Sequence, residues 1–322
     1  MTADATRIGC TARTGCTTRT ENKAAESAPN AEQSHASASI AVERPFWDAA
    51  SMFCRNPGAV IGAMLLMVII ALMIAGPYLY PTDPFEMVWV PFSPPFEEGA
   101  PMLGTDFIGR DLLAGIIQGS RSTLAVGAMA ALITSVIGVL IGAFAGFYGG
   151  WVDAALSRVT EFFQVLPPLL FAMVIVAVLP PTLPIIATAI GVVSWPAVAR
   201  LTRAEVLRIK TAEYVQAARA AAAPDRFLIW RVILPNALPP LIIAATLNIG
   251  AAILFESGLS FLGLSDPNIM SWGLIIGNGR EHIFTAWWVV TFPGLAIFLT
   301  VLAVSLIGDG LNDALNPKLR ER

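Results

Sequence analysis

The feature that most constrains this chain is a series of long runs without one charged side chain: residues 57–75, 124–147, 166–199, 238–255 and 287–307. A helix needs about 20 apolar residues to cross a bilayer, and these runs are near or beyond that length. Across 322 residues the chain is 56% hydrophobic and only 13% charged, where soluble domains carry about 25% charged residues. The ten-residue alternation of a membrane β-barrel is absent from the pattern. The fold class is therefore an all-α polytopic membrane protein.

The runs divide the chain into three parts. Residues 1–45 are rich in Ala, Ser and Thr with scattered charge, a composition expected to stay disordered as a cytoplasmic tail. Residues 46–123 hold a first span and a Pro-rich, acidic outer segment, and residues 124–322 hold the core. The second span contains Gly138, Gly142 and Gly146, a small-residue ladder that admits a close helix neighbour. Residues 166–199 are interrupted by "LPPTLP". If a helix starts as early as Asp153, two spans fit there. Two spans also put the basic insert at 200–236 on the same side as the N-terminal tail, in keeping with the positive-inside tendency. The expectation is about six spans with both termini cytoplasmic. Cys10, Cys16 and Cys54 have no metal or redox spacing and read as unpaired thiols.

The insert places Arg200, Arg203, Arg208, Lys210, Arg219, Arg226 and Arg231 among only Glu205, Glu213 and Asp225. Residues 197–222 contain strong helix formers and no Gly or Pro, so the fourth span should continue outward as a helix. Pro224 should end it, Asp225 should cap a second short helix over 226–234, and Pro235 should stop that one. Phe227, Leu228, Trp230 and Val232 are expected to pack this knob, leaving Tyr214 and the Ala-rich face for a partner's groove. On charge alone, a loop that only fixes topology or touches anionic lipid explains the insert as well.

Its residues also carry a resemblance. Gln216-Ala217-Ala218, then Ala222, then Val232-Ile233-Leu234-Pro235 resemble the cytoplasmic E-A-A loop of ABC importer permeases. Glu213, Tyr214, Val215, Ala217, Ala218, Arg219 and Ala220 resemble the longer form in the dipeptide, oligopeptide and nickel branch. "LGTDFIGRDLLAGIIQGSRSTL", "SFLGL…SWG" and "FPGLAIFLTVLAVSLIGDGLNDALNPKLR" resemble other segments of that branch, in order. One departure is Ala222 where the family usually has Gly; a left-handed residue there would cost Ala about 1–2 kcal/mol.

The resemblance implies a type I ABC importer permease, a transmembrane subunit moving short peptides or a related small solute. It implies that separate ATPase subunits, which bind ATP and Mg, dock on residues 213–236. Glu213, Tyr214, Gln216, Ala217, Ala218, Arg219, Ala222, Asp225, Leu234 and Pro235 would carry that coupling. It further implies a second related permease, two ATPases, and an extracytoplasmic solute-binding protein, and places the chain in a prokaryotic inner membrane. The lysines, Lys23, Lys210 and Lys318, follow no Gly-rich phosphate loop, so the chain itself is expected to be non-catalytic and free of cofactor. The solute is not legible, since relatives in that branch take dipeptides, oligopeptides, nickel or glutathione.

Other residues have two readings each. Glu256 and Ser257, at the outer end of the fifth span, are either a path-lining or gating group or a hydrated interfacial carboxylate. Asp106, Arg110 and Asp111 either shape the outer segment or contact the binding protein, and Trp272 either anchors the last outer loop or joins that contact. No metal site is expected, with His35 and His282 the sole histidines. A stand-alone secondary transporter or channel is the alternative function. It would show internal repeats or mid-membrane carboxylates, and neither stands out.

Overall fold

A computed structural model describes residues 51–315. The N-terminal tail, Cys10, Cys16, His35 and the cationic end at Lys318 and Arg320 lie outside them. The described chain is helical, with isolated antiparallel bridges at Met87–Arg110 and Thr105–Asp111 as its strand-like pairing.

Helix α1, Pro57–Leu79, starts on Asn56, whose side chain accepts the N–H groups of Gly58 and Ala59. Asn56 also donates to Asp313 at 2.8 Å, tying the start of α1 to the end of the last helix. Helix α2, Leu112–Tyr148, has 37 residues and so is about 55 Å long at 1.5 Å per residue. It begins well before the run expected from residue 124, because Asp111 caps it through Leu113 and Ala114. The helix therefore runs through residue 123 without a boundary.

Helices α3, Gly150–Val165, and α4, Pro168–Val178, meet at an 84° bend. The break falls at Leu166-Pro167, where Pro167 and Pro168 remove consecutive backbone donors. Helix α5 is Leu183–Lys210, and α6 is Glu213–Ala220. Helix α7 runs from Asp225 to Phe261, followed by the short outer helix α8, Trp272–Gly279, and by α9, Trp288–Leu315. Five of these helices are long and apolar enough to cross a membrane, and the bent α3–α4 pair makes a sixth.

Helices α2 and α5 form the spine of the bundle, and they run in the same direction. Gly191 meets Ile133, Gly138 meets Val198, Gly142 meets Thr202, and Gly146 meets Arg203 and Val206. A Cβ on Gly138 would sit 2.5 Å from Val198 Cβ, so the ladder works by letting α5 lie directly on α2. Parallel neighbours require one full crossing between them. The α3–α4 pair supplies it, with Ala172 and Val176 packed among Ile186 and Ile190.

Three of the local expectations are corrected. Helix α5 does not continue to residue 222: it stops at Lys210, and α6 starts afresh at Glu213. Asp225 is not the cap of the next helix, for Pro224 occupies that position and Asp225 is the first helical residue. Nor does Pro235 end anything. Residues Leu228–Ile233 wind as π-helix, with Leu234 N–H bonded back to Ile229 O. That wider turn moves the carbonyls that the Pro235 ring would otherwise meet, so the helix passes through Pro235, Pro239 and Pro240.

Candidate functional site

The knob formed by α6 and the start of α7 is built on a buried apolar base. Val215, Leu228, Ile229 and Ile233 pack with Ala143 and Phe147 of α2, Val206 and Ile209 of α5, and Ala237 and Leu241 further along α7. Phe147 is the pivot of the contact. Lys210 Nζ donates to the Phe147 carbonyl and lies 5.6 Å from its ring centroid, while the Arg219 guanidinium lies 5.7 Å from the same centroid. Cations at this distance from an aromatic face are attracted to it. Gln216 reaches back to accept none of this load itself; its amide donates to the Lys210 carbonyl at 3.0 Å and so satisfies an end of α5.

The corner after α6 has a definite geometry. Ala222 takes φ +59°, Ala223 N–H bonds Ala218 O, and Ala222 N–H bonds Arg219 O. This is a Schellman closure with Ala at the position that Gly usually fills. The left-handed conformation that favours Gly is kept, and the cost falls on Ala222.

The outward face differs from the expectation in one respect. Leu228 is buried and Val232 is half-buried, but Phe227 and Trp230 are 43% and 50% exposed. They join Tyr214, 48% exposed, on the surface of the knob. Phe227 ends the short α-helical turn and Trp230 lies within the π-turn at Leu228–Ile233, whose wider winding offsets its side chains from the ordinary helical face; no periodicity in the sequence signals it. Glu213, Gln216, Ala217, Arg219, Asp225 and Pro235 are exposed with them, and Ala218 and Leu234 lie half-buried beneath.

At the opposite end, Glu256 is 2% exposed, so it is not a hydrated interfacial carboxylate. Ser260 donates to Oε1 at 2.7 Å and Ser257 lies 3.4 Å from Oε2. Ser271 Oγ lies 3.4 Å from Ser260 Oγ and caps α8 through Leu274 N–H. Thr123 of α2 accepts Trp272 N–H. Glu256 therefore closes a buried hydroxyl cluster joining α2, α7 and α8.

The outer residues fall into two groups. Trp272, 2% exposed, donates its indole N–H to Ile116 O at 2.9 Å, and Asp111 is buried beneath Tyr80, whose phenol donates to it. Both are anchors below the surface that a partner would meet. Asp106 accepts the N–H groups of Ile108 and Arg110 at 2.9 Å, and burial pushes its carboxyl above the usual range. The Arg110 guanidinium covers the Phe85 ring at 5.2 Å. Among the described residues, no group of three His, Cys, Asp or Glu gathers as metal donors. Sequence reasoning missed Phe147, the pivot, because its role depends on packing between distant helices.

Comparison with known proteins follows the same outline. The family described as "binding-protein-dependent transport system inner membrane component" matches residues 138–321. A second, the "N-terminal TM domain of oligopeptide transport permease C", matches residues 44–95. The chain is 40% identical to the di/tripeptide transport system permease protein DppC of Pseudomonas aeruginosa, over 86% of this chain and 92% of that relative. It is 36% identical to the glutathione transport system permease protein GsiD of Pectobacterium atrosepticum, over 86% and 91% respectively. Among solved structures it is similar in fold to an inward-facing form of the MetNI methionine ABC transporter. The TM-score is 0.53 at 20% identity, covering 63% of this chain and 96% of that one.

Proposed function

The chain belongs to the family of inner-membrane components of binding-protein-dependent transport systems, and from that premise we propose that it is the transmembrane permease subunit of an ABC importer for short peptides. Relatives named for di- and tripeptides and for glutathione support that solute class, since glutathione is itself a small peptide. The chain acts in a prokaryotic inner membrane as a non-catalytic subunit.

The observation that carries the mechanism is the build of the knob. An exposed aromatic rim of Tyr214, Phe227 and Trp230 stands on a buried base seated on Phe147. Aromatic side chains on a rigid mount are the usual anchors of a protein interface. A separate ATPase subunit takes this rim, with Glu213, Gln216, Ala217, Ala218, Arg219, Ala222, Asp225, Leu234 and Pro235 around it, and holds the ATP and Mg. Its movement passes through the base to α2 and α5. A second related permease completes the path, a second ATPase serves it, and an extracytoplasmic binding protein delivers solute to the outer segment around Asp106 and Arg110.

The test is purification of the chain from its own membranes in mild detergent, with Tyr214→Ala and Trp230→Ala variants alongside. Stoichiometric recovery of an ATPase and a second permease, with the ATPase lost or weakened in the variants, is the expected result. A preparation without any ATPase that still transports peptide after reconstitution would overturn the proposal.

A further inference from the structure

Helix α3 is amphipathic in the reverse of the soluble sense. Asp153, Ser157, Thr160, Glu161 and Gln164 repeat at helical spacing, while the large apolar side chains Trp151, Phe162 and Val165 are exposed. The polar stripe faces an open cleft of about 150 Å³, whose lining includes Gly142 of α2, Ser157, Glu161 and Gln164 of α3, and Arg200 and Arg203 of α5. Gly142 opposite Thr202 lets α5 lie close to α2 along this wall.

The charges in the cleft are unequally engaged. Arg203 is spent on Asp153 in a two-point pair, Nε–Oδ1 at 2.5 Å and Nη2–Oδ2 at 2.7 Å, and Ser157 donates to the same carboxylate. Thr160 is turned back to Leu156 O. Glu161 has only the exposed Arg158 at 3.3 Å, a contact worth little in water. The side chains of Arg200 and Gln164 have no hydrogen-bond or ion-pair partner among the described residues. Ionisable side chains that line an open cleft between spanning helices, near their cytoplasmic ends, mark pathways or water-filled cavities. A free guanidinium on one wall and a loosely held carboxylate on the other suit a small molecule carrying both charges. A phosphate headgroup alone would satisfy Arg200 but be repelled by Glu161.

We propose that this cleft is a passage subsite for zwitterionic peptides, with Arg200 taking the terminal carboxylate, aided by the Gln164 amide, and Glu161 taking the terminal ammonium. The inference rests on the peptide-import reading above. It assigns the cleft a solute; it does not depend on how the ATPase docks.

The experiment uses the whole complex, purified with its partners and reconstituted in phosphatidylcholine vesicles, with the dipeptide Ala-Ala as probe. Uptake per ATP hydrolysed should fall about tenfold for Arg200→Gln and for Glu161→Gln. Arg200→Lys, which keeps the charge but not the fork, should recover part of it. Unchanged uptake per ATP in both Gln variants would overturn the subsite. A second arm decides the matter if those variants do not assemble. Gln164→Cys, in a chain whose native cysteines are replaced, is labelled with a maleimide. Ala-Ala should slow the labelling several-fold, and N-acetyl-Ala-Ala-amide, which lacks both charges, should not. Equal labelling with either peptide overturns the proposal, as does protection that needs anionic lipid and no peptide. Absence of ATP-driven uptake in the unaltered complex would instead overturn the permease reading, leaving the labelling to decide on the cleft.

Discussion

Tyr80 and Asp111 lock the outer ends of α1 and α2 together: the phenol donates to one carboxylate oxygen while the other caps α2 through Leu113 and Ala114. Asp111→Ala removes both functions and should destabilise the fold by at least about 1 kcal/mol, the usual cost of a lost cap. Thermal unfolding of the detergent-solubilised protein reads this directly. Asp111→Asn, which still caps, should lose less.

The same pair has a pH signature. Burial first, then the hydrogen bond and charge of Asp111, push the Tyr80 phenol up from 10.0 to about 12. A folded value above the unfolded one means that the contribution is full below pH 10 and is lost as pH rises toward 12. Absorbance titration should show Tyr80 ionising near pH 12, and Tyr80→Phe should remove that step. A Tyr80 that ionises with ordinary exposed tyrosines would contradict the locked geometry.

At the corner of the knob, Ala222→Gly should stabilise the protein by about 1 kcal/mol, because Gly holds a positive φ without the clash that Ala suffers. Ala222→Val should do the reverse, since a branched side chain is a worse fit there. Paired thermal melts test both signs. Equal melting of all three would mean that the left-handed corner is not populated.

Along the spine, Gly142→Val should separate α2 from α5, because even a Cβ would stand 2.6 Å from Thr202 Cβ. Overpacking of this kind costs about 1–3 kcal/mol. Loss of melting temperature together with weaker recovery of the assembled complex is the expected result.

Inside the outer cluster, Glu256→Gln should be tolerated and Glu256→Leu should not. Gln still accepts from Ser260, whereas Leu leaves that buried hydroxyl without its partner, a loss of about 1–3 kcal/mol. Limited proteolysis of the segment between α7 and α8 would report the loosening. Equal resistance of the two variants would count against the cluster.

These residues also show where sequence reading reaches and where it stops. The apolar runs and the Gly138-Gly142-Gly146 ladder follow from local composition and spacing, and each is found in place; the left-handed corner at Ala222 is pointed to by the family resemblance alone, since composition reads residues 197–222 as one helix. The break at "LPPTLP" is found as the turn between α4 and α5, whereas the bend at Pro167-Pro168 has its proline pair as its sole local signal. The passage of α7 through Pro235 was not legible, because a π-turn leaves no periodic mark. The two readings of Glu256 cannot be separated in the sequence, because its cover comes from Ser260 one turn on, Ser271 at the cap of α8 and Thr123 on α2. The rim of the knob was half legible. Tyr214 stood out by pattern, while Phe227 and Trp230 read as core until the turn beneath them was known.

Helix α2 begins on the carboxylate that holds Tyr80 and ends in the ring that holds Lys210 and Arg219. Nothing interrupts its hydrogen-bonded ladder between those points. An α-helix resists stretching along its axis, because every turn is tied to the next by its hydrogen bonds. An axial displacement imposed at Phe147 would therefore reach Asp111 with little loss, so that the two ends of α2 would move as one.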